Sequence, residues 1–346
     1  VVGVMSGTSL DGVDLVECFF DVSEDGYSYK MGVSVTVPYT QFWKNRLQQA
    51  ITFSEKELIV LNTDYTELLA ELILAFLKDN KIEKLDAVCS HGHTILHQPE
   101  KGRTLQIGNL PKLALLLDQT VVCDFRVQDV AMGGQGAPLV PVGDQLLFKN
   151  YDYCLNLGGF ANISTEISGN RIAYDICPVN IVLNIYAEML GKPYDDGGEI
   201  ALKGKVDKAL LMQLNQLPFY SKKPPKSLGL EWVKEQILPI LNASGKSPEN
   251  VIATFTEHIA MQISKELVQD ASVLITGGGA YNRFLLKRLG NFRNCNITVP
   301  PSEIIEFKEA LIFALLGVLK LQNEVNCLAS VTGAESDHSS GKIFRI

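Results

Sequence analysis

Three glycine-bearing turns carry the hydroxyl, amide and carboxylate groups that phosphate chemistry needs. The first is Met5-Ser6-Gly7-Thr8-Ser9-Leu10-Asp11-Gly12, set between the apolar runs Val2–Met5 and Val13–Phe20. Gly7 and Gly12 allow tight backbone geometry and close approach of a ligand. Ser6, Thr8 and Ser9 place hydroxyls beside backbone N–H groups, a combination that suits phosphate oxygens. Asp11 stands where a carboxylate could hold a hydrated Mg²⁺ on those oxygens. A polar hairpin turn uses the same residue types, so one such turn leaves both readings open. A second turn, Leu155-Asn156-Leu157-Gly158-Gly159-Phe160-Ala161-Asn162, repeats the strand–glycine–strand pattern near the middle of the chain. In a third, Thr276-Gly277-Gly278-Gly279-Ala280-Tyr281-Asn282, an apolar strand runs into glycines and then a helix. Together they suggest two similar half-domains gripping one nucleotide. Neither a P-loop GxxxxGK[ST] nor a Rossmann GxGxxG is present.

The elements that must position these turns follow from the hydrophobic pattern. Residues 1–37 read as an antiparallel meander, and residues 41–82 as helical, with Leu68, Leu69, Leu72, Ile73, Phe76 and Leu77 on one stripe. A short strand over Leu85–Cys89 leads into Ser90-His91-Gly92-His93-Thr94, and another over Val121–Phe125 ends at Arg126. Gly133-Gly134-Gln135-Gly136-Ala137-Pro138 reads as a hinge or ligand loop between the halves, or as a flexible linker. The second half opens with strands 153–165 and 171–176. Helices follow near 180–190, 230–242, 248–270 and 306–322, and Lys222-Lys223-Pro224-Pro225-Lys226 reads as a solvated surface loop. Strands first and helices after, stated twice, imply two α/β halves with mixed sheets. Ligands are then expected at the carboxyl ends of the strands.

The 346 residues exceed one usual domain. We divide them into an N-terminal lobe, 1–145, and a C-terminal lobe, 146–346. A net charge of −8 argues against nucleic acid or an anionic membrane as the main partner. The longest apolar stretch, Ala310–Leu319, is half a membrane span. No secretory leader is visible, and the scattered cysteines show no C-x-x-C. A cytoplasmic protein with reduced core thiols, and neither disulfides nor a zinc site, is therefore expected.

The glycine turns resemble the two phosphate loops and the adenosine loop of the actin/hexokinase/heat-shock-chaperone ATPase superfamily. More narrowly, seven blocks in order resemble those of the anhydro-N-acetylmuramic acid kinases. They are Met5–Gly12, Ser90-His91-Gly92, Leu105–Asn109, Asp124-Phe125-Arg126, Gly133–Pro141, Leu155–Gly159 and Ser330–Ala334. The resemblance implies two similar actin/hexokinase-like (RNase H-like) domains with mixed sheets flanking a nucleotide cleft. It also implies ATP and Mg²⁺ as cofactors and an anhydro-sugar as substrate, whose 1,6-bridge is opened by water as O6 is phosphorylated. Peptidoglycan recycling is the implied setting, and a homodimer is possible.

Carried over residue by residue, the phosphates fall to Ser6, Gly7, Thr8, Ser9, Asp11, Gly12, Gly158, Gly159 and Asn162. The adenosine falls to Gly277, Gly278, Gly279 and Asn282, and the sugar to His91, Arg126 and Asn180. Asp11 is the implied Mg²⁺ contact, through water. The general base falls on Asp175, which ends an apolar strand beside a proline turn; a helix N-cap is its plainer reading. Glu309 matches a second acidic position, in the first turn of an apolar helix, where the helix dipole alone would also favour a carboxylate. Arg126 also admits a surface ion pair.

The chain departs from the family pattern at Cys177 and Val179, which stand for glycines. Asn184 stands for an aspartate and His93 for a glutamine. These departures bear on which sugar fits. His91, His93 and His97 lack a matched carboxylate or thiol and are not read as a metal site. A kinase for a different anhydro-sugar of levoglucosan type, a plain sugar kinase, or a non-enzymatic ATP-driven switch are the competing readings.

Overall fold

The computed structural model describes residues 1–7, 9–24 and 26–346. The chain forms two compact units, one of Val1–Leu147 with Phe307–Ile346, the other of Phe148–Glu306. The first crossing thus falls two residues beyond the expected 145/146 division. The last forty residues belong with the first unit rather than with 146–346. The physical reason is a strand that returns: Lys342–Phe344 pairs antiparallel with Val121–Cys123.

The first unit is built on strands β1 (Val2–Ser6), β2 (Gly12–Ser23), β3 (Gly26–Pro38), β4 (Val88–Gln98), β5 (Arg103–Ile107) and β6 (Val121–Cys123). The second has β7 (Tyr153–Leu157), β8 (Phe160–Ile167), β9 (Asn170–Pro178), β10 (Ser272–Thr276) and β11 (Asn296–Thr298). With β12 (Lys342–Phe344), the first sheet runs β12-β6-β4-β1-β2-β3, and β5 pairs with β4. The second runs β11-β10-β7-β8-β9.

The two orders are the same path drawn twice. Each unit begins with a three-strand antiparallel meander, and two parallel strands then add on the other side of its first strand. The expected pair of α/β halves with mixed sheets is therefore observed. The parallel strands need crossover helices, and the sequence supplies them. Glu55–Asp79 starts with a capping box in which Ser54 and Glu57 bond each other's backbone N–H. It buries Leu61, Tyr65, Leu69, Ile73 and Phe76 at helical spacing. The buried stripe lies slightly to one side of the expected one, since Leu68, Leu72 and Leu77 are only half-buried.

The core of the first unit gathers Val2, Val4, Leu15, Leu61, Tyr65, Leu69 and Val88. That of the second gathers Leu155, Ile163, Ile176, Val182, Phe255, Ile259 and Ile275. Burying each large side chain contributes about 1.5–3 kcal/mol. Among the described residues, no helix is long and apolar enough to cross a membrane.

Two loop readings change. Gly133–Pro138 is not a linker between the halves. It is tied down inside the first unit, where Gly134 N donates to Asp129 O, Gly136 N to Asp129 Oδ2 (2.6 Å) and Gln135 N to Thr332 O. The basic segment 222–226 is not wholly solvated. Lys226 is buried and pairs with Glu266 at 3.2 Å.

Candidate functional site

In the first unit β1, β4 and β6 are parallel, so their carboxyl ends emerge along one edge. β1 delivers the turn after Ser6, and β6 delivers Asp124, Phe125 and Arg126. Thr8 lies outside the described residues. The Ser6 hydroxyl faces inward, bonded to Tyr39 Oη (2.6 Å) and His93 Nδ1 (2.8 Å) in a buried network that continues to Tyr65. Gly7, Ser9 and Asp11 form the open part of the turn, which a Leu10 N–H bond to Gly7 O closes, and Asp11 is exposed. Gly12 has a packing reason to be glycine: a Cβ there would meet Val37 O at 2.3 Å.

Strand β4 runs further than expected and contains all three closely spaced histidines. Strict alternation would put His91 and His93 on one face. Gly92, with φ of 74°, coincides with a register shift between β1 and β4 and sends them apart. His91 stacks against Phe313 at 4.5 Å. His93 turns to Tyr39 and Tyr65. Burial holds both imidazoles below the usual histidine range, His93 at about 4.

Arg126 reaches this histidine. Its Nε donates to His91 Nε2 (2.8 Å) and its Nη1 to Gly136 O (2.7 Å). His91 Nε2 is thereby the acceptor, so Nδ1 carries the proton and donates to Gly92 O (2.8 Å). Desolvation lowers Arg126 to about 10, and Glu309 pulls the other way.

Glu309 is open to solvent yet crowded by protein atoms. That crowding raises its carboxyl above the ordinary range, with Arg126 opposing and Asp14 adding to the rise. Solvent screens these attractions. The helix carrying it spans Ser302–Leu321, so Glu309 lies two turns in, not in the first turn. The dipole explanation therefore does not apply. Pro300-Pro301 followed by Ser302 and Glu303 is the start signal that places the helix earlier.

In the second unit the register does the assembling. Asn156 on β7 pairs with Asn162 on β8, and Asn162 pairs with Asp175 on β9. Directly paired residues share a face, so the three side chains form a polar row across the sheet. Asp175 Oδ2 accepts Leu228 N–H (2.8 Å), and its own N–H donates to Lys226 O (3.0 Å). Burial raises its carboxyl, and the Leu228 bond partly offsets this. Asp175 is thus held by a loop rather than serving as the helix N-cap, a position Val179 occupies.

Two glycine turns sit beside that row, because β7 and β10 are parallel neighbours. The Gly158 carbonyl accepts Asn180 N–H, and that of Gly159 accepts Val179 and Ile181 N–H. The turn thereby seats on the amino end of helix Asn180–Glu188. Asn180 Nδ2 donates to Leu157 O (3.2 Å). Gly277, at φ of 79°, leaves no room for a Cβ, which would lie 2.6 Å from Asn156 Oδ1. Gly279 likewise lies against Leu157, while Gly278 is exposed. Asn282 is buried, and its side chain caps helix Arg283–Phe292 through Leu285 N–H (2.9 Å).

Asn156, Leu228, Lys226 and Asp14 were not singled out from sequence. Asn156 had a readable signal, an amide interrupting the apolar Leu155 and Leu157. Leu228 and Lys226 act through backbone atoms and leave no signature. Cys177 and Val179 are fully buried in the second core, so they do not line a ligand surface.

The whole chain, residues 1–346, matches the family described as anhydro-N-acetylmuramic acid kinase. The protein of that name from Acinetobacter baylyi is 34% identical, covering 100% of this chain and 99% of its own. The one from Pseudomonas syringae pv. tomato is 35% identical, with 99% and 98% covered. A solved structure, (R)-2-hydroxyglutaryl-CoA dehydratase component A from Acidaminococcus fermentans, overlaps 93% of this chain and 98% of its own. Its identity is 14% and its TM-score 0.46. On this end-to-end match, the chain belongs to the anhydro-N-acetylmuramic acid kinase family.

Proposed function

We propose that this chain is an ATP-dependent kinase that opens the 1,6-anhydro bridge of anhydro-N-acetylmuramic acid with water and phosphorylates O6. The product is N-acetylmuramic acid 6-phosphate, a peptidoglycan-recycling intermediate, made in the cytoplasm. Asp175 is the general base. With Oδ2 held by Leu228, Oδ1 takes a proton from water. The water oxygen bonds to the anomeric carbon, and the C1–O6 bond breaks. The freed O6 bonds to the γ-phosphorus of ATP, and ADP leaves. The raised proton affinity of Asp175 is the direction a base of this kind needs.

The turns of Gly7 to Asp11 and Gly158–Gly159, with Asn162, receive the phosphates. Gly277–Gly279 receive the adenosine, Asn282 holding that junction in place as a helix cap. Arg126, His91 and Asn180 orient the sugar, and Glu309 is the second acidic group. The exposed, all-oxygen carboxylate of Asp11 fits a hydrated Mg²⁺, which when bound neutralises phosphate charge.

The observation that carries this reading is Asp175, half-buried and oriented, in one polar row with Asn162 beside two glycine turns. The test is incubation with ATP and Mg²⁺ in oxygen-18 water against a panel of anhydro-sugars and free sugars. ADP should form with anhydro-N-acetylmuramic acid, and the product should gain one water and one phosphoryl group, with the label at C1. ADP formation only with free sugars, or an unlabelled product, would overturn the proposal.

A further inference from the structure

The C-terminal segment of the first unit brings a thiol and an imidazole to Asp129, the carboxylate that holds the Gly133–Pro138 segment. Cys327 and His338 form an antiparallel bridge, each N–H donating to the other's carbonyl at 3.1 Å. Asn326 locks this bridge, donating to Leu316 O and Ser340 O and accepting Ser340 N–H. The backbone thus sets the two side chains beside each other. Asp129 enters from helix Val127–Ala131. Its Oδ1 is 3.0 Å from Cys327 Sγ and 3.6 Å from His338 Nε2, and the three ligating atoms all lie within 4.8 Å of one another. Cys327 and Asp129 are fully buried and His338 is 8% exposed.

The tautomer makes the arrangement informative. His338 Nδ1 lies 3.0 Å from Ser336 O, a group that can only accept, so Nδ1 carries the proton. In neutral imidazole Nε2 then presents a lone pair. It is buried, has no hydrogen-bond partner, and faces a carboxylate oxygen. A positive charge between these two atoms is favoured in a dry interior, either a proton on Nε2, giving an ion pair, or a bound cation. The 3.6 Å separation is long for the hydrogen bond such a proton would make, and a cation would displace the Cys327 S–H that now donates to Oδ1. Donor atoms bound to one tetrahedral zinc at about 2.0–2.3 Å lie about 3.3–3.6 Å apart. The His338–Asp129 separation matches that edge, and the Cys327–Asp129 one must open by about 0.5 Å.

We propose that Asp129, Cys327 and His338 form a buried site for a divalent cation of the zinc class, with water as fourth ligand. A sulfur–nitrogen–oxygen set selects zinc-like metals over Mg²⁺ or Ca²⁺. The surroundings resemble an outer shell. Thr332 Oγ1 donates to Asp129 Oδ1 (2.7 Å), Gly136 N–H to Oδ2 (2.6 Å), and Ser336 O fixes the imidazole. Binding replaces the Cys327 thiol proton, which leaves to solvent. The cation would brace Asp129 and, through it, the Gly133–Pro138 segment, whose Gly136 carbonyl holds Arg126.

The test uses tag-free, chelator-stripped full-length protein and Zn²⁺ or Co²⁺ alone. One equivalent of Zn²⁺ should bind in competition with a chromophoric chelator and raise the unfolding temperature. Co²⁺ should give the intense visible bands of a tetrahedral site and a sulfur-to-metal charge-transfer band. Cys327→Ser and His338→Gln should each weaken binding by about 100-fold or more, while Cys295→Ser, at a half-exposed thiol elsewhere, should leave it unchanged. Should either variant fail to fold, wild-type protein settles the matter, since Co²⁺ should give the sulfur-to-metal band and one equivalent of Zn²⁺ should abolish it. Substoichiometric uptake, a cobalt spectrum without the sulfur band, a cobalt band that zinc does not displace, or binding that survives both substitutions would overturn the proposal.

Discussion

The carboxyl of Asp175 is held between two opposing influences: burial raises its pKa, and the Leu228 N–H lowers it. The net rise has two separable consequences. If Asp175 is the base, Asp175→Asn should cut kcat by roughly 10²–10⁴-fold with ATP affinity close to wild type. The amide keeps an oxygen for Leu228 but cannot take a proton. The same variant should be more stable at neutral pH. A carboxyl with a raised folded pKa binds its proton more readily folded than unfolded. Its ionised form therefore costs stability above the folded pKa, and that cost vanishes below the unfolded value of 3.8. The stabilisation should be full at pH 7 and shrink as pH falls toward 4. Urea midpoints across that range check the second expectation, and steady-state ADP release checks the first. Unchanged kcat would remove Asp175 from the chemistry, and a lower midpoint at pH 7 would contradict the burial argument.

At the scale of elements, helix Ser302–Leu321 carries Glu309 and must lie very close to the first sheet. Small residues make this possible. A Cβ on Gly3 of β1 would be 2.1 Å from Ala310 O, and one on Gly317 would be 2.1 Å from Cys89 Sγ. Backbone oxygen cannot move aside as a flexible side chain can. Gly3→Ala should therefore destabilise the protein by about 1–3 kcal/mol through overpacking and, by shifting the helix, lower activity. Gly290→Ala is the matched control. It lies in helix Arg283–Phe292, a Cβ there meets nothing within 4 Å, and its φ is ordinary. It should stabilise by about 0.5–1 kcal/mol, because alanine loses less backbone entropy than glycine on forming a helix. Equilibrium unfolding of both variants measures the contrast. Equal effects would mean that the close approach at Gly3 is not felt.

At the scale of the molecule, the second unit is one continuous stretch and the first is closed by the chain's last segment. The core of residues 148–306 lies entirely within that stretch. The first unit needs helix residues 307–321 on one face of its sheet and β12 on its edge. Expressed alone, 148–306 should unfold cooperatively in urea. A fragment of 1–147 should not, unless 307–346 is added in trans. Circular dichroism with urea titration reads both. A cooperative 1–147 fragment would show that the returning segment is dispensable.

Sequence by itself determined the elements and the family. The meander of 1–37, the stripe from Tyr65 to Leu77 and the three glycine turns follow from local periodicity and backbone freedom, which neighbouring residues already express. The motif blocks were legible because each sits in a distinctive local string, and Asp175 was singled out only through the resemblance those blocks carry. What only the tertiary structure decided depends on register and return. A register shift at Gly92 sends His91 and His93 to opposite faces, and pairing across three strands aligns Asn156, Asn162 and Asp175. Backbone groups of Lys226 and Leu228 orient a side chain some fifty residues earlier. The meeting of Asp129 with Cys327 and His338 joins residues about two hundred positions apart through contacts that no single stretch of chain encodes. Local patterns specify what each segment can become. Which polar groups end up facing one another is set by long-range pairing, and that requires the whole fold.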